Sequence, residues 1–335
     1  MLPALIQFLV CAIVIVIAGT FLSKYADAIA EFTGLGRLVI GSVLLAGATS
    51  LPEMTVDISA VRLGATDLAV GDLLGSSLMN LLILALLDLS HHSRGRMLSR
   101  QSAAHALAGS LAAALAALVG IGLLTGQALA PYTLLGISPV IYLVAIVYFL
   151  GVRLVYFDQM MAMKTAVDAG HPVSHHAPGM TIAKAIGGFA LCALAIFIAG
   201  PFLASASDQL AEKSGLGGTF VGTTLVAFST SLPELVSSLA ALRMGAHDLA
   251  IGNVYGSNAF NMLLLVPLDV VQSGSLLATV APGHTITCVA AILATQVAVM
   301  GQLYQAESRK RLIEPDALMV ILTVIGALAL VYYVR

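Results

Sequence analysis

Residues 101–152 contain no Asp, Glu, Lys or Arg, and this run constrains the fold more than any other feature of the chain. Hydrocarbon gives backbone amides no water to bond, so a stretch this apolar satisfies its hydrogen bonds internally, as helix. It is also too long for a single crossing of about 20 residues, so the break at 125–131 divides it into two helices. The rest of the chain agrees: 59% of residues are apolar and 10% charged, against about 25% charged in an ordinary soluble domain. A formal charge of -2 leaves no basic face to track phosphates, which argues against a nucleic-acid partner. Cys11, Cys192 and Cys288 sit in apolar runs without ligand-like spacing, as packing thiols do, and not as a disulfide framework or zinc site would.

Ten spans of suitable length can be placed, giving an all-α, polytopic membrane protein. They cover 2–22, 38–61, 67–89, 101–124, 131–152, 182–205, 217–242, 248–269, 283–304 and 317–334. The first lacks the basic flank and small-residue cleavage pattern of a signal peptide and is read as a spanning helix. Alternate connections put twelve Lys and Arg on one face (Lys24, Arg37, Arg94, Arg96, Arg100, Arg153, Lys164, Lys184, Arg243, Arg309, Lys310, Arg311). Only Arg62, Lys213 and Arg335 fall on the other. Basic residues mark the cytoplasmic side, so in a cell inner (plasma) membrane both termini are predicted outside and the 153–181 connection inside.

A shift of 181 residues lays the chain over itself without a gap. "GSVLLAGATSLPEMTVDISAVRLGATDLAVGDLLGSSLMNLL" from Gly41 falls on "GTTLVAFSTSLPELVSSLAALRMGAHDLAIGNVYGSNAFNML" from Gly222. Equivalent points are five helices apart, an odd number, so the second half must enter the membrane from the opposite side. The expected organisation is two inverted five-helix repeats, 1–152 and 182–335, joined by the 153–181 cytoplasmic connection, with a ligand site near the midplane where the repeats meet.

Within each repeat the polar residues cluster. Pro52 and Pro233 have no N–H, so the carbonyls of Ala48 and Ser229 lose their helical partners and each helix must bend or open. Freed carbonyls at membrane depth are tolerated where protein, water or an ion satisfies them. Beside the breaks stand Glu53 with Thr49 and Ser50, and Glu234 with Thr230 and Ser231. Carboxylate, carbonyl and hydroxyl together are the oxygen set that hard cations take. The next helix of each repeat carries Asp72, Ser76 and Asn80, or Asn253, Ser257 and Asn261, spaced to share one face. Two ionised carboxylates in a dry cavity are costly unless compensated. A divalent cation, several monovalent cations or protons would each neutralise them, and a site that is expensive to leave empty favours exchange.

At these residues the chain resembles the calcium/cation antiporter superfamily, particularly its prokaryotic sodium/calcium exchangers. "TSLPE" in both halves and "GSNAFN" in the second match that family's repeat motifs, and the likeness extends over essentially the whole chain. The resemblance implies a Na+-driven Ca2+ extruder, with Ca2+ and Na+ as transported ligands, no cofactor and no obligate protein partner. It further implies Glu53 and Glu234 as shared ligands, supported by Ala46, Thr49, Ser50, Ala227, Thr230 and Ser231, with Ser76, Ser257, Asn80 and Asn261 further in. The first half departs from the motif, with Ser77 where Asn is usual and Asp72 where the second half has Asn253. Asn261 is neutral where some members carry Asp. An added carboxylate at Asp72, one turn from Ser76, keeps coupling to H+ or K+ as the alternative on the same scaffold.

The remaining polar residues read more plainly. Asp57, one turn after Glu53, is opposed by Ser238 in the repeat and is expected to serve a vestibule or packing. Asp67 and Asp248, beside Arg62 and Arg243, are expected as helix caps and surface pairs. Asp88 and Asp269, at helix ends, are expected to face headgroups. His105 and His284 carry no signal alone, and "HPVSHH" at 171–176 reads as a solvated loop more readily than a metal clasp. An intramembrane hydrolase using the paired acids is disfavoured, because the hydroxyls and carbonyls would have no catalytic task. A channel is disfavoured by the absence of a continuous filter.

Overall fold

The computed structural model describes residues 2–90, 103–168, 180–214, 228–272, 274–303 and 315–334. Ala227, the basic residues Arg94, Arg96, Arg100, Arg309, Lys310, Arg311 and Arg335, and the 171–176 segment lie outside the described residues. Among the described residues the chain is helical, apart from one isolated bridge between Leu134 and Ile137.

We number the helices α1 Leu2–Thr33, α2 Arg37–Thr49, α3 Leu51–Arg62, α4 Thr66–Ser90, α5 Ala103–Leu129 and α6 Pro139–Asp168. They continue with α7 Ile182–Ser214, α8 Leu232–Arg243, α9 His247–Gln272, α10 Leu276–Thr279, α11 His284–Leu303 and α12 Pro315–Val334. Seven of them are long and apolar enough to cross a bilayer unbroken, and α2 with α3 makes an eighth candidate bent by 43°. The exterior is apolar, with Leu5, Leu9, Ile13 and Ile17 of α1 and Phe149 of α6 all exposed. Glu53 and Asp57 of α3, Asp72 and Asn80 of α4, Glu234 of α8 and Asn253, Asn258 and Asn261 of α9 are buried instead, as lipid requires.

Seven of the ten expected spans fall on these unbroken helices, whose ends differ from those read from hydropathy. Helix α1 continues past residue 22 to Thr33, because Asp27 and Glu31, one turn apart, both reach Arg37 at 2.5 and 3.3 Å. Helices α6 and α7 likewise run on to Asp168 and Ser214. Helix α6 begins at Pro139 and not near residue 131, since a 3-10 turn and the bridge occupy the intervening chain.

Two matching turns set the hairpins that carry the site. Gly64 (φ 79°) and Gly245 (φ 77°) are repeat equivalents in the left-handed region, where glycine pays no Cβ penalty. Each closes its helix identically, with Ala65 donating to Ala60 O and Ala246 to Ala241 O, both at 2.9 Å, as a helix C-terminal motif does. The chain therefore doubles back at once, and α4 lies beside α3 as α9 lies beside α8.

Small residues then bring the two halves into contact. A Cβ on Gly41, Gly252 or Gly256 would lie 2.4–2.7 Å from the backbone of the facing helix, so α2 and α9 cross backbone to backbone. A π-helical segment, Ile40–Leu45, occupies this crossing. The long helices α1 and α7 pack side by side, α1 against α8 through Ser23 Oγ donating to Ser237 O at 2.7 Å. Helix α7 meets α3 where Gly200 faces Pro52.

Three expectations for the acids at helix ends are corrected. Asp269 does not face headgroups: it is buried, and its two oxygens accept Ser138 N and Leu276 N, each at 2.6 Å. The loops fold back over the helix end and offer main-chain donors that a sequence position does not reveal. Asp88 is buried as well. Asp67 and Asp248 do not pair with Arg62 and Arg243 but with histidines of the opposite half, His284 at 2.9 Å and His105 at 3.2 Å.

Candidate functional site

Both proline-glutamate segments fold as local chemistry demands. The first helix stops at Thr49, Ser50 takes φ -86° and ψ 7°, and α3 starts at Leu51 with Pro52 in its opening turn, where a missing N–H costs nothing. The ladder resumes with Met54 donating to Ser50 O at 3.3 Å. The second half repeats this at Ser231 (φ -81°, ψ 1°), with Leu235 donating to Ser231 O at 3.1 Å. Each Glu thus sits in the first turn of a fresh helix, and Glu53 follows directly on the carbonyl-bearing end of α2. Helix C-termini present negative dipole to a cation and N-termini stabilise carboxylates.

The two halves interlock around these breaks. Glu53 and Glu234 are each 0% exposed and close enough to interact electrostatically. Glu234 Oε1 accepts Ser50 Oγ at 3.1 Å and Ser257 Oγ at 3.4 Å. Thr49 Oγ1 lies 3.5 Å from Ser257 Oγ and 3.4 Å from Asn253 Oδ1. The inverse contact is made by Thr230 Oγ1, 3.4 Å from Ser76 Oγ and 3.4 Å from Asp72 Oδ1. Asn80 Nδ2 donates to Asn258 Oδ1 at 3.0 Å, and Asn258 Nδ2 to Ser77 O at 3.1 Å.

The expected site residues within the described chain are therefore buried in one polar interior, and their roles there differ. Ser50, Thr49, Ser76, Ser257, Thr230 and Asp72 join the carboxylates in cross-half contacts. The Ala46 carbonyl accepts Ser50 N at 3.0 Å and shares the single Thr49 hydroxyl proton with Leu45 O, both at 3.1 Å. Both Glu53 oxygens, Glu234 Oε2, Ser231 Oγ, Asn80 Oδ1 and the whole Asn261 amide are buried without a hydrogen-bond partner. Unsatisfied buried oxygens are expensive, and a hard cation is the ligand that would engage so many acceptors at once.

Sequence reasoning assigned too little to Asp57 and nothing to Asn258. Asp57 lies in no vestibule: it is 0% exposed and electrostatically in range of Asp72. Its spacing of four from Glu53 placed it on the same helix face, and the mismatch with Ser238 hid that signal. Asp72 likewise faces the protein interior and not cytoplasmic water. Among the described residues no ion pair engages Glu53, Asp57, Asp72 or Glu234. Nor do three or more His, Cys, Asp or Glu converge as a metal cluster. Glu53 is electrostatically in range of Glu234, Asp57 and Asp72, and the hydroxyls of Ser50 and Ser257 reach Glu234.

Such a fold and interior define an integral, multi-pass membrane protein with an acidic, oxygen-lined core. The sodium/calcium exchanger protein family model matches residues 3–152 and 184–334, and the chain belongs to that family. It is 26% identical to a putative antiporter, CaxA, of Alkalimonas amylolytica over 85% of each chain. It is 28% identical to the inner membrane protein YrbG of Escherichia coli, over 80% of this chain and 79% of that one. A 44% match to the sodium/calcium exchanger MaX1 of Methanosarcina acetivorans spans 26% of this chain and 25% of that protein. A solved structure of the sodium-calcium exchanger NCX_Mj shares the fold, with a TM-score of 0.69 and 18% identity over 97% of this chain and 98% of the other.

Proposed function

We propose that this protein is a secondary antiporter that exchanges Na+ for Ca2+ by alternating access, extruding Ca2+ as Na+ enters. The observation that carries this reading is the pairing of Glu53 and Glu234. Both are buried, both stand at the start of a helix following a break, and among the described residues neither Glu53 oxygen has a hydrogen-bond partner. Their charges need a cation to be stable in this interior, and the loss of that cation must be matched by arrival of another. Ca2+ between the carboxylates would complete its six to eight oxygens from among Thr49, Ser50, Ser76, Asn80, Thr230, Ser231, Ser257, Asn261 and the Ala46 and Ala227 carbonyls. Several Na+ ions distributed over the same oxygens supply equivalent charge.

The matching glycine turns and matching Ser50 and Ser231 breaks support two inverted five-helix repeats, 1–152 and 182–335, and ten spans in all. In that topology the chain lies in the plasma membrane, with both termini outside and the 153–181 connection in the cytoplasm. The hydroxyl- and amide-rich lining supports a transporter and not an intramembrane hydrolase, because a hydrolase would have no use for so many neutral oxygens.

The test is Ca2+ uptake into proteoliposomes under an imposed Na+ gradient with the pH gradient collapsed. Uptake that follows the Na+ gradient is expected. Uptake driven only by a pH or K+ gradient would transfer the coupling to those ions, and peptide cleavage abolished by Glu53→Gln would replace the transporter with an enzyme.

A further inference from the structure

The two halves differ most at one pair of equivalent positions. In the second half Asn253 Nδ2 donates to Ser238 Oγ at 3.0 Å, a neutral bond that satisfies both side chains. In the first half the same two positions hold Asp72 and Asp57, both buried and electrostatically in range of each other. While ionised, neither can donate to the other. Both Asp57 oxygens and Asp72 Oδ2 have no partner, and Thr230 Oγ1 donates to Asp72 Oδ1 at 3.4 Å.

A second observation points the same way. Glu53, one helical turn from Asp57 on the same face of α3, is fully buried, and neither of its oxygens has a partner. It is electrostatically in range of both Asp57 and Asp72. One Ca2+ balances the Glu53–Glu234 pair and leaves the aspartate pair uncompensated, in an interior where no described Lys, Arg or His is paired with it. Because the acids do not converge in threes, the excess charge calls for a separate position and not a larger version of the first.

We infer that Asp57 and Asp72 form a second cation subsite beside the glutamate cage, which takes a monovalent hard cation, Na+ in the exchange cycle, while one proton shared by the two carboxyls meets the remaining charge. Ca2+ prefers six to eight oxygens. Two carboxylates and the Thr230 hydroxyl fall short of that, which favours the singly charged ion. The shared Thr230 links the subsite to Ser76, so filling one is felt by the other. This inference rests on the proposed Na+/Ca2+ exchange.

The experiment is equilibrium binding of radioactive Na+ and Ca2+ to the purified full chain, wild type against Asp57→Ser/Asp72→Asn. That double substitution copies the bonded Ser238 and Asn253 of the second half, and a melting curve checks that it folds. The variant is expected to hold one fewer Na+ per chain at saturation, with a Hill coefficient for Na+ lower by about one. An unchanged Na+ count and steepness would overturn the subsite and leave the exchanger reading intact. A wild type that binds neither ion would overturn the exchanger reading itself. Independently of any variant, wild-type crystals soaked in Tl+ should show anomalous density between Asp57 and Asp72, and density in the glutamate cage alone would also overturn it.

Discussion

The segments from Arg37 to Ser90 and from residue 228 to Gln272 share one backbone plan but satisfy their polar groups differently. Both have the serine-centred break, the proline in the first turn and the glycine-closed hairpin. In the second, Glu234 accepts two hydroxyls, Asn253 is bonded to Ser238, and Asn258 reaches across to the first half. In the first, Glu53, Asp57 and Asp72 leave five carboxylate oxygens without a protein partner. The second half holds more of its acid and amide groups in place, although Glu234 Oε2, Ser231 Oγ and the Asn261 amide have no partner among the described residues. The other is polar beyond what the protein can satisfy, and so depends on ions. Duplication fixed the geometry, and divergence of a few side chains assigned the two copies different work.

The strongest way to break this comparison is to neutralise the glutamates one at a time. Glu53→Gln and Glu234→Gln should each lower Na+-driven Ca2+ uptake by at least about 100-fold, roughly 3 kcal/mol of lost cation stabilisation. Their melting temperatures without cations should differ, however. Glu53→Gln should raise the melting temperature more, because it removes a buried charge that nothing in the protein balances. Glu234 already has two donors and has less to gain. Equal shifts, measured by thermal melting in chelator, would erase the proposed division between the halves.

The outer helices offer a second contrast. A Cβ on Gly200 would lie 2.2 Å from Pro52 Cβ, whereas on its repeat equivalent Gly19 it would lie 3.1 Å from the tip of Val236. A proline ring cannot turn aside, but a valine methyl has room to yield. Gly200→Ala should therefore cost about 1–3 kcal/mol of stability and Gly19→Ala less than roughly 1 kcal/mol, read from paired unfolding curves. Similar costs would mean that the two helices sit equivalently on their partners.

Much of this was legible in the sequence, for a physical reason. A proline beside a glutamate in an apolar run conflicts with helix and lipid alike, and seeing it twice at a fixed offset turned the conflict into a site. What could not be read depended on contacts between distant parts of the chain. Asp67 meets His284 across 217 positions, and Asp269 is covered by loops whose only contribution is a main-chain N–H. The π-helical segment at Ile40–Leu45 has no compositional mark. Asp57 was discounted because the repeat offered Ser238 opposite it, and in this molecule the mismatched positions are where the two copies divide their work.

Ser77 is the smallest of these mismatches. Where the second half has Asn258, whose amide holds Asn80 at 3.0 Å and the Ser77 carbonyl at 3.1 Å, Ser77 turns its hydroxyl back to Leu73 O at 2.9 Å. Asn80 is therefore clamped from across the interface, while Asn261, its equivalent, has neither amide atom bonded. Asn258→Ala should release the clamp and cost about 1–2 kcal/mol, since it also leaves a buried amide without its acceptor. Ser77→Asn should do the reverse, supplying Asn261 with a partner and adding up to roughly 1 kcal/mol of stability. It should also strengthen Ca2+ binding a few-fold, because the copied bond would take an Asn261 Nδ2 proton and hold Oδ1 in place, still free for an ion, as it is at Asn80. Melting curves and Ca2+ titrations on the two variants separate these effects. If Ser77→Asn stabilised the fold without touching Ca2+ affinity, Asn261 would be a packing amide and the ion-dependent region would be confined to the side of Glu53, Asp57 and Asp72.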